Sequence, residues 1–200
     1  MIDITPGDRV ADYAKPKAPA LIVGKGYKAV ARYIDGTAGT SHPSYKVLTV
    51  KERDGLAKAG LGIILIWETY SKRALSGAPA GVIDGKLAAQ QAHLLGYPAG
   101  MPIIATVDVD TNAKTAQVAA AYWRAFSAAC APYVAGCYGD YDVANVIGLE
   151  CPLMWQPAAR WWSRYRVHPT VKVLQSRKGS EPGIDNNQVL KPVTVWDGKP

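Results

Sequence analysis

The amino-acid sequence predicts an α/β fold, a single compact (β/α)8 TIM-type barrel formed by residues 1–200. Short apolar runs typical of buried strands alternate along the chain with helical patterns. About eight such runs can be counted, as many as a closed barrel needs, and repeated βα units favour parallel strands joined by right-handed crossovers. An open doubly wound α/β sheet is the alternative, although no G-x-G-x-x-G or Walker A motif follows any run.

The first half of the chain contains three of these runs. We expect strands at Arg9–Tyr13, Lys28–Asp35 and Gly62–Glu68, with helices at Pro19–Lys25 and from Thr49 to Ala59. Thr49 and Glu52 have the spacing of a capping box, in which hydroxyl and carboxylate satisfy free amides at a helix start. The nearly continuous apolar run at Gly62–Glu68 is typical of a strand buried on both faces.

The rest of the chain contains the remaining runs and the clearest helix. We expect strands at Pro102–Asp108, Tyr133–Tyr138, Pro152–Gln156, Val171–Gln175 and Gly183–Asp185, and helices at Val82–Leu95, Asn112–Ala131 and Asp140–Ile147. In the helix at Asn112–Ala131, apolar residues recur at helical spacing in a stripe that includes Ala121, Tyr122 and Phe126. Gly85 weakens the preceding helix, and the segment after Asp185 is expected to close the fold.

The composition narrows the class of protein. With 48% hydrophobic residues the chain can bury a full core. It has no apolar run of about 18 residues, and its start lacks a signal-peptide pattern, so we expect neither a membrane span nor a signal peptide. The net charge of +7 favours anionic surroundings, such as a cell-wall polymer, nucleic acid or a membrane surface, or marks a merely soluble basic protein. Cys130, Cys137 and Cys151 are expected to be buried free thiols.

Polar residues end most of the apolar runs. In a βα barrel the active site lies at the carboxyl ends of the strands. Aromatic side chains there can belong to the core or stack on sugar rings, and because side chains alternate along a strand, Trp67 and Glu68 cannot both point inward. The candidate site residues are Asp12, Tyr33, Asp35, Glu68, Asp108, Asp110, Tyr138, Trp155, Gln156, Gln175 and Asp185.

The most prominent of these candidates are Asp108 and Asp110, which lie two residues apart at a strand end. On one side of a strand their Cα atoms would lie roughly 6–7 Å apart. Paired carboxylates cleave glycosidic bonds, and crowding raises the pKa of one of them toward that of a general acid. Two other interpretations stay open: capping of the following helix by Asp110-Thr111-Asn112, and a divalent metal site built from the same acids.

Other chemistries have weaker signals. No G-x-S-x-G motif supports a serine hydrolase, and Cys137 near a strand end is a nucleophile candidate or a buried structural thiol. The segment Arg160–Arg166 mixes cations with aromatic side chains, a pattern that fits nucleic acid, an anionic glycan, or a solvated helix or turn. We expect no metal or organic cofactor, and nucleic acid is not the expected partner.

The order of motifs along the chain resembles the glycoside-hydrolase-like barrels known as domain of unknown function 1906, which are related to family 25 lysozymes. The resemblance covers most of the chain. It depends on an early strand with Asp12, Arg32-Tyr33-Ile34, the stretch from Leu48 to Glu68, Ala105–Asp110 (ATVDVD), Gly136–Val143 (GCYGDYDV), Trp155-Gln156 and Gly183–Asn187 (GIDNN).

This resemblance implies a compact barrel related to enzymes that cut the glycan of peptidoglycan. Family 25 lysozymes have an Asp on the first strand, an Asp-x-Glu pair on the fourth and an Asp on the last. Asp12, Asp108 and Asp185 match the three Asp positions, and Asp110 stands where the Glu acid/base is expected. Asp is one methylene shorter, and a displacement of about 1 Å can cost roughly 100-fold in rate. The change from Glu to Asp is consistent with slow catalysis, with activity on a different glycan, or with a catalytically inactive site.

The sequence therefore predicts a cell-wall glycoside hydrolase-like domain of phage or actinobacterial origin. Asp110 is the acid/base candidate and Asp108 its partner, while Asp12, Asp185 and Glu68 line the site. The alternative is an inactive glycan-binding or virion structural module on the same barrel. The expected partners are cell-wall glycan and phage virion or lysis proteins, and the domain would reach the wall after lysis or as part of a virion.

Overall fold

The computed structural model describes residues 1–34, 44–157, 159, 161–162 and 164–199. Eight strands form a closed barrel, so the predicted barrel is confirmed and the open doubly wound sheet is wrong. The strands are β1 Ile2–Ile4, β2 Arg9–Asp12, β3 Ala29–Tyr33, β4 Gly62–Trp67, β5 Pro102–Thr106, β6 Val134–Tyr138, β7 Met154–Gln156, β8 Val171–Glu181, β9 Ile184–Val189 and β10 Val193–Val195. The α-helices are α1 Pro19–Gly24, α2 Val50–Lys58, α3 Gly77–Leu94, α4 Ala113–Ala129 and α5 Tyr141–Ile147.

The barrel is parallel from β2 through β8, and its last strand runs the other way. Strand β9 pairs antiparallel with both β8 and β2 and thereby closes the ring. A parallel partner for β8 would need a crossover of roughly a dozen residues, whereas an antiparallel one needs only a tight turn. Gly183, with φ 72°, forms part of that turn between Glu181 and Ile184. The eighth predicted unit is therefore a hairpin rather than a βα unit.

Side chains alternate between the two faces of the barrel wall. Those of Ala31, Ile64 and Ile104 belong to the inner cluster, whereas those of Leu65 and Trp67 pack outward against the helices. Because Trp67 points outward, Glu68 follows on the inner face, as strand periodicity requires. The same alternation brings the last inward residue of each strand to the barrel mouth.

The opposite end of the barrel is plugged by a small ribbon. Strands β1 and β10 pair antiparallel, and Ile4, Val193 and Val195 join the inner apolar cluster. Val195 packs directly on Gly62, the first residue of β4. The segment after Asp185 thus supplies β9 and β10, and an open cavity is left at the carboxyl ends of the strands.

The helix starts follow the predicted chemistry with one exception. The Thr49 hydroxyl accepts a hydrogen bond from the Glu52 amide at 3.1 Å, which caps α2. The Glu52 carboxylate, however, binds the buried Arg32 guanidinium at 2.7 and 3.1 Å instead of completing a capping box.

On α4, Tyr122 and Phe126 are buried as predicted, but Ala121 is exposed. No described helix has the length and apolarity to cross a membrane.

Candidate active site

Most of the predicted site residues meet in one cavity of about 170 Å³ at the carboxyl ends of the strands. Most of them lie at or just after the carboxyl end of a parallel strand, while Gln175 lies within β8 and Asp185 lies at the start of the antiparallel β9. The predicted residues that line the cavity are Asp12, Tyr33, Glu68, Asp108, Tyr138, Trp155, Gln175 and Asp185. Lys46 lines it too and was missed, because a lysine in a polar loop carries no recognisable pattern.

Asp12 and Asp185 form a directly opposed pair. They are register partners across the antiparallel β2–β9 ladder. Such partners have Cβ atoms about 5 Å apart, so the two carboxyl groups lie side by side in the cavity. The Tyr33 hydroxyl donates to Asp12 Oδ2 at 3.4 Å, while the buried Asp12 Oδ1 has no hydrogen-bond partner among the described residues.

The surroundings of Asp12 hold its carboxyl group in the protonated form. Burial is the largest cause, and together with the neighbouring carboxylates of Asp185 and Glu68 it raises the pKa of Asp12 to about 7. The Tyr33 hydroxyl and the Lys46 ammonium act the other way but do not cancel the effect. Burial also raises the pKa of Asp185 above its ordinary value. The pair therefore contains a carboxyl group that can donate a proton near neutral pH.

A second acidic pair, Glu68 and Asp108, lies on the neighbouring strand ends around Lys46. The Lys46 ammonium lies 3.5 Å from Glu68 Oε2 and 3.8 Å from the centroid of the Tyr33 ring. Burial raises the pKa of Glu68, and Asp108 adds to the rise, while Lys46 opposes both. Burial likewise raises the pKa of Asp108 against the pull of Lys46. Lys46 thus balances part of the negative charge at the mouth.

The aromatic residues divide between the cavity wall and its floor. The Tyr138 hydroxyl donates to Gln175 Oε1 at 2.9 Å and is held across the mouth. Trp155 is fully buried, packs edge-on against Tyr138, and donates its indole N–H to Asn187 Oδ1 at 3.1 Å. Trp155 therefore belongs to the floor, whereas Tyr33 and Tyr138 keep exposed surface that a ligand can contact.

One predicted substrate-binding residue, Gln156, does not line this cavity. Gln156 is fully buried, donates to the Arg166 carbonyl at 2.8 Å, and accepts from the His168 amide at 3.0 Å. It holds the β7–β8 loop rather than facing a ligand, because the outward side of its short strand lies under that loop. Asp35 lies outside the described residues.

The predicted pairing of Asp108 with Asp110 in one site is not what the structure shows. Strand β5 ends at Thr106, so the two-residue periodicity does not extend to Asp110, which is exposed and lies outside the cavity. The helix cap falls on Asn112, whose side chain accepts from the Lys114 and Thr115 amides. Thr111 is bound to the buried Asp140 through its amide at 2.6 Å.

The geometry of the described residues gives little support to a metal site or to a cysteine nucleophile. Within the described part of the chain, no group of three or more His, Cys, Asp or Glu side chains is arranged to hold a metal ion. Cys130, Cys137 and Cys151 are buried free thiols, as predicted. Burial raises the pKa of Cys137 well above its ordinary value, which disfavours the nucleophilic thiolate.

A closed barrel whose cavity is lined by carboxyl and aromatic side chains at the strand ends defines a glycoside hydrolase-like domain. The chain belongs to the family of the Rv2525c-like, glycoside hydrolase-like domain, whose model matches residues 20–189. The predicted family resemblance is thereby confirmed. No curated protein matches the chain.

Solved structures of the same fold come from three bacterial proteins, among others. Tat-secreted Rv2525c of Mycobacterium tuberculosis, in complex with L-tartrate, is 22% identical over 92% of this chain and 96% of its own, with a TM-score of 0.82. GHIP, a glycosyl hydrolase 25 of Streptococcus pneumoniae, is 13% identical over 91% and 86%, with a TM-score of 0.60. The autolysin LytC of Streptococcus pneumoniae, in complex with a synthetic peptidoglycan ligand, is 11% identical over 90% and 46%, with a TM-score of 0.61. At these identities the likeness is one of fold.

Proposed function

We propose that this domain hydrolyses a cell-wall glycan of the peptidoglycan type, with Asp12 as the general acid and Asp185 as its partner. The observation that carries the proposal is the opposed Asp12–Asp185 pair, in which one carboxyl group has a pKa of about 7. The family resemblance implies Asp110 as the acid/base. We assign the role to Asp12 instead, because Asp110 is exposed and lies outside the cavity.

The chemistry follows from the different environments of the two groups. Neutral Asp12 donates its proton to the oxygen of the glycosidic bond as that bond breaks. The Asp185 carboxylate stabilises the positive charge that develops on the sugar ring. A water molecule then adds to the anomeric carbon and gives its proton to the Asp12 carboxylate, which restores the acid. Asp108 and Glu68 add negative potential from the neighbouring strands. Tyr33 and Tyr138 supply faces and hydroxyl groups for the sugar.

The substrate class is supported from two directions. The net charge of +7 favours association with an anionic wall polymer. LytC, which shares the fold, was solved with a synthetic peptidoglycan ligand. We further propose that the domain acts outside the cell, since Rv2525c is a Tat-secreted protein. A phage origin, with lysis or virion proteins as partners, is the more specific form of this proposal.

The test is release of reducing sugar from purified mycobacterial peptidoglycan by the wild type and single Asp→Asn variants. Asp12→Asn and Asp185→Asn are expected to lower the rate at least 100-fold, because each removes one member of the pair. The wild-type rate is expected to fall as pH rises through about 7, where Asp12 loses its proton. Asp3→Asn, exposed on β1 at the plugged end of the barrel, is the matched control.

Asp110→Asn separates the two acid assignments. Full activity in this variant, with loss in Asp12→Asn, supports the pair proposed above. Loss of activity in Asp110→Asn with an active Asp12→Asn variant would overturn it and restore Asp110 as the acid.

A second candidate function is a glycan-binding module without turnover. It is favoured by the exposed position of Asp110, which leaves the expected acid/base position outside the cavity. This module would sediment with peptidoglycan while releasing no reducing sugar, and Asp12→Asn would then leave its wall binding unchanged.

A further inference from the structure

A second cleft, of about 430 Å³, adjoins the cavity on the side of the β2–α1 loop. It is continuous with the cavity because Asp12, Tyr33, Lys46 and Asp185 line both. A glycan with its scissile bond at Asp12 would therefore extend one group into this cleft. The walls of the cleft decide which kind of group fits there.

The outer wall of the cleft is basic. Lys15, Lys17 and Lys46 line it together with the two aspartates of the cavity. Lys46 is engaged with Glu68, but Lys15 and Lys17 make no ion pair within the described part of the chain. Since Asp12 keeps its proton below about pH 7, the lysine charges outnumber the carboxylate charge on the lining. The segment Lys15-Pro16-Lys17 matches no sequence pattern that predicts a binding site.

The loop that carries these lysines is anchored from below. The fully buried Arg32 guanidinium donates to the Tyr13 carbonyl at 2.5 Å and lies 4.7 Å from the centroid of the Tyr13 ring. Glu52 holds the other side of that guanidinium. Tyr13 also lines the cleft, and its buried hydroxyl has no hydrogen-bond partner among the described residues.

The lysine positions are set on opposite sides of the opening. The Lys17 ammonium lies over the β8–β9 turn, 3.2 Å from where a Cβ on Gly183 would be. The Lys15 ammonium lies 5.5 Å from the centroid of the Tyr45 ring. A side chain at Gly183 would crowd Lys17. Glycine at this position therefore allows both the positive φ of the turn and the placement of the Lys17 ammonium.

We propose that this cleft is a subsite for an anionic group, a carboxylate or a phosphate, carried by the glycan next to the bond at Asp12. The assignment rests on the proposed function, because it extends the same glycan from the same cavity. Lys15 and Lys17, which line the cleft, bind the anion through charge-assisted hydrogen bonds. The domain thus prefers an acidic glycan over a neutral one of equal length.

The experiment is calorimetric titration of the wild-type domain with three short β-1,4-linked oligosaccharides of equal length. One contains only N-acetylglucosamine, one carries a lactyl carboxylate, and one carries a phosphate monoester. The same titrations are made with the double variant Lys15→Gln/Lys17→Gln. The double variant Lys58→Gln/Lys86→Gln, with both lysines exposed on α2 and α3, is a charge-matched control, and thermal unfolding checks that all variants are folded.

The double variant is expected to bind the anionic oligosaccharides about tenfold more weakly while its affinity for the neutral one is unchanged. Whichever anionic oligosaccharide shows the larger loss identifies the group. Equal affinity of the double variant and the wild type for both anionic oligosaccharides would overturn the subsite while leaving the glycan site standing. If the wild type bound none of the three, the proposed function would fall, and the subsite with it.

Discussion

At the residue scale, Asp12 is the proposed acid of the site. Its carboxyl group is 8% exposed, faces Asp185, and leaves one oxygen without a partner among the described residues. A core residue would satisfy that oxygen, because an unpaired buried polar atom costs roughly 1–3 kcal/mol. Retaining an acid under these conditions is typical of a functional site, where reactivity is kept at the expense of stability.

The burial of Asp12 makes the free energy of unfolding depend on pH, and the raised pKa fixes the direction of that dependence. Its folded pKa is raised from 3.8 to about 7, so between those values the unfolded chain releases the proton while the folded chain keeps it. Stability therefore falls as pH rises through this window, and the full penalty remains above it. At pH 8 we expect the free energy of unfolding of Asp12→Asn to exceed that of the wild type by on the order of a few kcal/mol, and its Tm to be higher.

The advantage of Asp12→Asn should shrink as the pH is lowered from 7 toward 3.8, since wild-type Asp12 is neutral in both the folded and the unfolded state only below the ordinary pKa of 3.8. Thermal unfolding at several pH values measures it, with Asp3→Asn as the control. A wild type that matches or exceeds Asp12→Asn at pH 8 would contradict the raised pKa.

At the element scale, the outer layer is organised by a close contact between α3 and α4. Gly81 and Gly85 lie one turn apart on α3 and face α4. A Cβ at Gly85 would come within 2.5 Å of the Phe126 carbonyl oxygen, and one at Gly81 would overlap the Tyr122 carbonyl oxygen. Glycine at position 85 lowers the helix propensity of α3. The close packing of α3 against α4 nevertheless requires a residue without a side chain there.

This contact predicts opposite effects for two glycine-to-alanine changes in helices. Gly81→Ala is expected to destabilise the protein by roughly 1–3 kcal/mol, because the two helices must move apart. Gly55→Ala on α2, where a Cβ would make an ordinary 3.7 Å contact with Pro19, is expected to be neutral or stabilising by up to about 1 kcal/mol. Urea denaturation of both variants measures the difference. A stabilising Gly81→Ala would contradict the close approach.

At the scale of the whole molecule, the two ends of the barrel have separate tasks. The β1–β10 ribbon plugs one end with Ile4, Val193 and Val195, while the carboxyl and aromatic groups occupy the other. Such a division is typical of βα barrels, in which stability and function reside at opposite faces.

Truncating the plug should therefore change stability without changing ligand binding. Val195→Ala is expected to lower the free energy of unfolding by roughly 1–3 kcal/mol, since Val195 is 1% exposed and packs on the start of β4. Thr194→Ala, exposed on the same strand, is the control and should cost less. Chemical denaturation and titration with the anionic oligosaccharide below the Tm measure the two properties. A change in affinity with unchanged stability would contradict the division.

Local patterns in the sequence were enough to predict the barrel and most of the residues around its mouth. Apolar runs, helix caps and strand-end polar residues depend on neighbours in the chain, so Glu68, Asp108 and Tyr138 could be found from spacing alone. The same spacing argument places Asp110 beside Asp108, but β5 ends at Thr106 and Asp110 does not line the cavity.

The sequence by itself therefore determined the fold class, the approximate positions of the eight barrel strands and most of the acids that the barrel brings to one end, but not β1 and β10. Only the tertiary structure decided which of them pair. Asp12 and Asp185 are distant in sequence and meet because β9 runs antiparallel to β2. Lys46 reaches the same mouth from a loop after β3. The proton affinity of Asp12 depends on those contacts and on its burial, so no pattern local to Asp12 could have predicted it.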